Sequence, residues 1–281
     1  SARKKFRLRT SSASMVGCFI FTAFSTISST MFFTNFLENM VYKPSQIIRN
    51  ITANYNTIAT QWDISRFRPS PIKVRVLKVA KKGMVVGDIG CGNGIIISEL
   101  FKNGIKKYYG LDISSKLVAI TKRKYKDEIK KGKVELKVGN ALKLAYQKNK
   151  FDVVFSFAVM HHLPGVENHL KFLTEIKRVL KPGGKAVIIN WNLLNEKLVE
   201  KFKIKEKLEK MEKEGYNERD VYVGWNATPG KDVQRFVHIF IPEEIKTLAK
   251  QAGFKKIKIE YYNQLGKKEK NGEELVTILQ K

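Results

Sequence analysis

Two short stretches carry residue types whose spacing suits chemistry. The first is "VVGDIGCGNG". An apolar strand ends there at Asp88, and Gly90, Gly92 and Gly94 turn the chain into a helix. Glycines let a backbone approach a ligand closely, and a helix start offers free N–H groups. A loop of the nicotinamide type wants a further glycine at position 95, where Ile95 stands. The acid before the glycines suits a ligand with a cationic amino-acid group instead. Asp112, in "GLDIS", falls where such folds keep a ribose-binding acid, and Asn140, in "GNAL", falls near an adenine edge. Ordinary strand-to-helix turns would explain one glycine triplet, but four spaced features in order speak for a ligand site.

The second stretch is "VMHHLPG", which holds His161 and His162. Adjacent residues cannot face one point on a regular strand. His169 follows seven residues later, in a helical pattern. Neither cysteine nor carboxylate is spaced to join these three, and Cys91 sits in the glycine loop, so no metal centre is expected in this chain.

The elements that must position these residues alternate. "MVVGDIG", "KKYYGLDIS", "KVELKVGNAL", "FDVVFSFAVM" and "KAVIINW" read as strands. The runs between them read as helices, such as "VENHLKFLTEIKRVL", which "KPGG" stops. Near the end, "KKIKIEYYN" and "EELVTILQK" follow each other across a polar turn and must pair antiparallel. The pattern predicts an α/β fold: a doubly wound, mostly parallel seven-stranded sheet of Rossmann-like type with one antiparallel strand near the C-terminus. The domain is expected over 46–281, with an inserted segment at 195–231. The first half of that insertion reads as a charged helix, and its second half, "YVGWNATPGKD", has no regular period.

The 281 residues suffice for one large α/β domain. Lys and Arg number 53 against 26 acids, a formal charge of +27. That balance favours a polyanionic partner, nucleic acid before membrane, although a merely solvated basic surface would look the same. Two cysteines are too few for a disulfide framework. Residues 1–45 do not match the rest: "SARKKFRLRT" is basic, and Thr10 to Phe36 carries no charge. This segment reads as a targeting sequence, an upstream extension or, less well, a membrane helix. Cytoplasmic or nuclear residence is expected for the domain, with organelle or membrane targeting left open.

Taken together, "YNTIATQWDISRFRPSP", the glycine loop, "SFAVMHHLPG", "LTEIKRVLKPGGKAVIINW", "DVYVGWN" and "RFVHIFIPEEIKTLAKQAGF" look like one family. The chain resembles the class I S-adenosylmethionine-dependent methyltransferases. Within them it is similar to the tRNA wobble-uridine carboxymethyl methyltransferases, including the domain fused to some AlkB-type oxygenases. The resemblance implies S-adenosylmethionine as cofactor. Asp88, Gly90, Gly92 and Gly94 would flank its methionine part, Asp112 would hold the ribose, and Ile113 would also bind the cofactor. Asn140 and Ala141 would lie by the adenine, where an aspartate is commoner than Asn140. Phe157 and Ala158 would line the cofactor, and Tyr55 and Arg66 would close over it. The resemblance further implies tRNA as substrate and a small zinc-binding activator subunit as partner. The activator would pair at the edge strand around Val134, Leu136 and Val138.

A carboxylate nucleophile, with a pKa of about 4, is ionised at neutral pH and needs no general base. It needs a cation that holds it, and Arg235 and His238 of "RFVH" are the expected groups. His161 is the member of the pair expected to face the substrate. Trp191, Trp225 and Phe236 could stack on a splayed-out base, with core packing as the alternative. Two rivals stand beside this reading: methylation of a quinone or sterol precursor, and a non-catalytic RNA-binding protein on the same fold.

Overall fold

The computed structural model describes residues 42–225 and 233–281. The segment read as a targeting sequence or extension lies outside the described residues up to position 41. Among the described residues, no helix is long and apolar enough to cross a membrane.

The chain enters through α1 (Pro44–Ser65) and α2 (Pro71–Leu77). Both carry proline in the first turn, where the missing N–H costs nothing. Then β1 (Val85–Ile89), α3 (Ile97–Lys102), β2 (Lys107–Asp112), α4 (Ser115–Lys124), α5 (Lys126–Lys130), β3 (Val134–Val138) and β4 (Phe151–Phe157) follow. A short 3-10 turn, Met160–His162, leads to α6 (Val166–Val179) and β5 (Leu180–Trp191). After α7 (Glu196–Lys201) and α8 (Ile204–Lys213) come β6 (Asp220–Trp225), β7 (Val233–His238), α9 (Pro242–Gln251), β8 (Lys256–Tyr262) and β9 (Glu274–Gln280).

Seven strands form one sheet in the order β3-β2-β1-β4-β5-β9-β8. β1 to β5 pair in parallel, and β9 runs antiparallel to both β5 and β8. The expected single antiparallel strand is therefore β9, set between two strands of the parallel direction. Alternation along each strand builds the two faces. In β5, Ala186 and Ile188 meet Phe172, Leu173 and Ile176 of α6 and Leu248 of α9. Val187 and Ile189 face the other way, toward Ile72 and Leu77 of α2 and Ile97 and Leu100 of α3. Both faces are thus apolar and covered, which explains why these strands read as continuous hydrophobic runs.

The region 195–231 differs from its sequence reading. Its charged half is two helices, broken where Lys203 takes a left-handed φ of 50°. Its supposedly aperiodic half contains β6, which pairs antiparallel with β7 in a separate two-stranded sheet. Val221 and Val223 pack with Leu193, Ile204 and Met211, while Trp225 packs toward α1. The alternation runs only from Val221 to Trp225, with Gly224 within it, and "NATPG" follows, so it does not register as a strand without its partner.

Candidate active site

A cavity of 580 Å³ opens at the C-terminal ends of β1, β2 and β4, where strands on either side of β1 lead to opposite connections. This is the position at which open α/β sheets take ligands. Gly90, Gly92, Asp112, Ile113, Asn140, Ala141, Phe157 and Ala158 line it, and Tyr55 and Arg66 close it from α1 and the turn after it. The expected cofactor set therefore converges, apart from two residues that sit behind the wall. Gly94 faces Thr121 and Tyr125. Asp88 is buried and accepts from the Tyr108 hydroxyl at 2.7 Å. Burial raises Asp88 to about pKa 7, against the Tyr108 hydrogen bond and the charge of Lys73, with Asp112 adding to the rise.

The backbone forces glycine at the loop's closest point. Gly90 has a φ of 82°, and a Cβ there would lie 2.1 Å from Cγ2 of Val159. Asp112 organises the opposite side: its Oδ2 accepts from Gly92 N–H and its Oδ1 from Ser114 N–H, at 2.7 and 2.8 Å. Each oxygen keeps a lone pair for a ribose hydroxyl. Asn140 turns its side-chain oxygen onto its own loop, accepting from Leu142 N–H at 2.8 Å. Ala158, at the cavity wall, holds a φ of 59°, an uncommon conformation for a residue with a Cβ.

The histidine pair resolves differently from expectation. His162, not His161, lies in the cavity wall. Its Nδ1 is 2.6 Å from the Phe236 carbonyl, so Nδ1 is the donor, and Nε2 accepts from the Tyr55 hydroxyl at 2.8 Å. Burial lowers His162 to about pKa 3, so the ring is neutral at physiological pH. His161 is fully buried behind it, where its Nδ1 accepts from Trp191 N–H at 3.3 Å. Burial and then the neighbouring His162 push its pKa down as well. The two rings pack edge to face, with centroids 4.4 Å apart, and the second one reaches the cavity wall.

Of the residues expected to meet the substrate, Trp191 lines the cavity and Arg235 stacks on it without lining the cavity itself. The Arg235 guanidinium lies over Trp191 and Trp225, at 4.9 and 5.3 Å from the ring centroids. It is buried, its Nη2 donates to the Gly224 carbonyl at 3.3 Å, and its Nε and Nη1 have no hydrogen-bond partner among the described residues. It neighbours the Tyr55 hydroxyl, whose ionisation burial opposes and the Arg235 charge favours. Phe236 is different. It is fully buried and packs with Ile51, Tyr55 and Ile58 of α1, so it is core rather than a stacking platform. Trp225 is also largely buried, between Arg66 and Arg235.

His238 does not face the cavity. Its Nδ1 bonds Asp220 Oδ1 at 2.7 Å and its Nε2 bonds Glu244 Oε1 at 3.0 Å. Burial opposes its charge, but these two carboxylates outweigh burial and raise its pKa. Both nitrogens are therefore engaged away from any substrate. His169, expected to stand apart from carboxylates, lies beside His238 and Glu244 instead.

Among the cavity residues that sequence reading missed are Trp62, Lys73 and Glu274. Trp62 lies seven residues after Tyr55 on α1, hence on the same helical face, and that spacing was legible. Arg66 stacks on it, 3.6 Å from the ring centroid, and burial lowers that guanidinium to about pKa 10. Lys73 and Glu274 also line the cavity. Burial lowers the first and raises the second to about pKa 7, each partly offset by the other. Nothing in their local sequence marks them.

A family profile described as "Methyltransferase domain" matches residues 87–188. A tRNA (carboxymethyluridine(34)-5-O)-methyltransferase of Schizosaccharomyces pombe is 30% identical over 222 residues, 71% of this chain and 86% of its own length. The ALKBH8 protein of Mus musculus, which bears the same activity name, is 34% identical over 145 residues. Those residues are 50% of this chain but only 20% of the mouse protein, so this chain spans a minor part of it. A demethylmenaquinone methyltransferase of Lactococcus lactis is 38% identical over 109 residues, 38% of this chain and 42% of its own. In fold, the chain resembles a structure titled as a complex between the Haloferax volcanii Trm112 methyltransferase activator and a methyltransferase. That match has a TM-score of 0.56 and 17% identity, covering 80% of this chain and 96% of the other. The strand order, the glycine loop and Asp112 at one cavity fit S-adenosylmethionine as cofactor, and the chain belongs to the class I S-adenosylmethionine-dependent methyltransferases.

Proposed function

We propose that this chain methylates the carboxylate of a carboxymethyl group on the wobble uridine of tRNA, forming a methyl ester. The observation that carries this reading is Arg235: a buried guanidinium between two tryptophans, one of which, Trp191, lines the cofactor cavity, with Nε and Nη1 unbonded among the described residues. A buried cation without a counter-charge is costly, and an anionic nucleophile relieves that cost. Guanidinium binds carboxylate as a planar fork, which fixes the attacking oxygen.

Bound S-adenosylmethionine supplies a methyl carbon activated by its sulfonium. The protein's part is to orient and desolvate. Asp112 and the glycine loop hold the cofactor's polar ends. Arg235 orients the carboxylate, and Trp191 offers a ring face to the substrate side. His162 is neutral and accepts a hydrogen bond from the Tyr55 hydroxyl, so it adds no second positive charge that would quench the nucleophile. No base is required, because a carboxylate is already ionised. The charge of +27 suits a polyanionic substrate, and both tRNA-modifying relatives carry the matching activity name.

The same reading includes an activator subunit. β3 is the outer strand of the sheet, with Val138 exposed and Val134 and Leu136 turned into the core. Its outer edge has no strand neighbour among the described residues, which suits strand addition. Nucleoside mass spectrometry of tRNA from a strain lacking the protein tests the function. Loss of the wobble methyl ester with accumulation of the free acid is expected. Unchanged tRNA together with accumulation of a demethylated quinone would favour the small-molecule reading instead. Arg235→Gln, supplied back to that strain, should fail to restore the ester.

A further inference from the structure

Outside the cofactor cavity, four elements bring together an unusual polar cluster. His169 lies on α6, His238 ends β7, Glu244 sits in the first turn of α9, and Asp220 opens β6. One ligand atom from each of His169, His238 and Glu244 lies within 4.8 Å of the others. Both histidines are buried, and none of the four residues lines the cavity.

The hydrogen bonds fix which nitrogens are bare. His169 Nε2 is 2.6 Å from the Leu163 carbonyl, so that nitrogen carries the proton. Its Nδ1 is then a lone pair, buried and without a partner among the described residues. A buried acceptor lacking a donor is uncommon and asks for an explanation. His238 Nδ1 is tied to Asp220 Oδ1, which leaves Nε2 directed at Glu244. A carboxylate behind one ring nitrogen and a carbonyl behind another are the supports that metal-ligating histidines use. Glu244 is held in turn: Arg219 bonds its Oε2 at 3.1 Å, and Oε1 is the nearer of its two oxygens to His238 Nε2, at 3.0 against 3.3 Å.

We propose that His169 Nδ1, His238 Nε2 and Glu244 Oε1 form a structural zinc site. Two imidazoles and a carboxylate make a borderline donor set that suits zinc(II), with a water as fourth ligand. Zinc bonds of about 2.0–2.1 Å bring tetrahedral ligands to roughly 3.4 Å apart, so a separation of 4.8 Å closes by about 1.4 Å on binding. The ion displaces the Nε2 proton of His238, which leaves to solvent. The role is structural because none of the three ligands lines the cofactor cavity. It cross-links the β6–β7 hairpin, which carries Arg235, to α6 and α9 of the main domain. The proposal rests on these four elements alone and is independent of the substrate assigned above.

The test uses the full chain, purified without a histidine tag and without any partner protein. After dialysis against zinc chloride and then metal-free buffer, elemental analysis should find one zinc per chain. Cobalt(II) loading should give the intense visible bands of a tetrahedral site. Removing the ion with a chelator should lower the melting temperature, and zinc should restore it. His169→Gln should abolish stoichiometric zinc and the zinc-dependent melting shift. The double variant Cys18→Ser, Cys91→Ser should keep both, since no thiol takes part. If His169→Gln fails to fold, the cobalt spectrum of the unaltered chain still decides. Zinc below a tenth of an equivalent with no cobalt bands overturns the proposal, as does full binding by a folded His169→Gln.

Discussion

The Tyr55 hydroxyl lies 2.8 Å from Nε2 of His162, a contact that joins α1 to the 3-10 turn after β4. The Phe236 carbonyl, 2.6 Å from Nδ1, fixes the tautomer and so makes His162 the acceptor. Three segments far apart in sequence thereby set one wall of the cavity. Tyr55 also packs edge-on against Trp62, with ring centroids 5.2 Å apart.

Tyr55→Phe keeps that packing and removes the donor. His162 Nε2 is then a buried acceptor without a partner, which costs about 1–3 kcal/mol. Chemical denaturation should show that loss. Methyl transfer should fall about tenfold, the equivalent of about 1.4 kcal/mol in the barrier. Affinity for S-adenosylmethionine, measured by calorimetry, should change less than twofold. An unaltered rate would mean that the Tyr55–His162 contact does not shape the site.

Gly90→Ala meets two obstacles, the φ of 82° and the Val159 side chain. The strain and overpacking together should destabilise the protein by about 2–4 kcal/mol. Val159→Ala in the same chain removes the clash but not the backbone strain. The double variant should recover part of the loss, and a double-mutant cycle on denaturation free energies measures how much. Simple additivity of the two losses would show that the backbone term alone operates.

How far the sequence reached depends on distance along the chain. The sheet was legible because each parallel strand is buried on both faces and writes its own apolar run, as "FDVVFSF" does. The glycine loop and Asp112 were legible because a strand end and a turn lie together in sequence. His238 was misassigned because its partners, Asp220 and Glu244, come from β6 and α9, and no local spacing announces them. Phe236 was misassigned because a strand residue shows alternation but not what covers it, here α1. The choice between His161 and His162 turns on the rotation of one 3-10 turn, which residue type does not encode.

Asp112 accepts two backbone hydrogen bonds, from Gly92 and Ser114. Asp112→Asn replaces one accepting oxygen with an NH2 group that must face a backbone N–H. The free protein should lose about 1–3 kcal/mol. Cofactor affinity should fall about tenfold to a hundredfold, since a charge-assisted bond to a ribose hydroxyl is lost as well. Calorimetry against S-adenosylhomocysteine measures the second effect without turnover. Retained affinity would remove Asp112 from the cofactor site.

Asp88 makes a prediction about pH. Its folded pKa is about 7 against an ordinary 3.8, because burial disfavours the charge more than Tyr108 and Lys73 favour it. Between those values the folded chain keeps a proton that the unfolded chain has released. The stabilising contribution is therefore complete below about 3.8 and is lost as pH rises through about 7. A shift of that size corresponds to at most about 4 kcal/mol. Asp88→Asn cannot titrate, yet its amide oxygen still accepts from Tyr108. Urea denaturation of both proteins at pH 5, 6, 7 and 8, without cofactor, isolates the group. The stability of the unaltered chain relative to Asp88→Asn should decline steadily from pH 5 to 7 and flatten above about pH 8. A difference that is constant across the range would mean that Asp88 is ionised throughout, with Lys73 as its effective counter-charge.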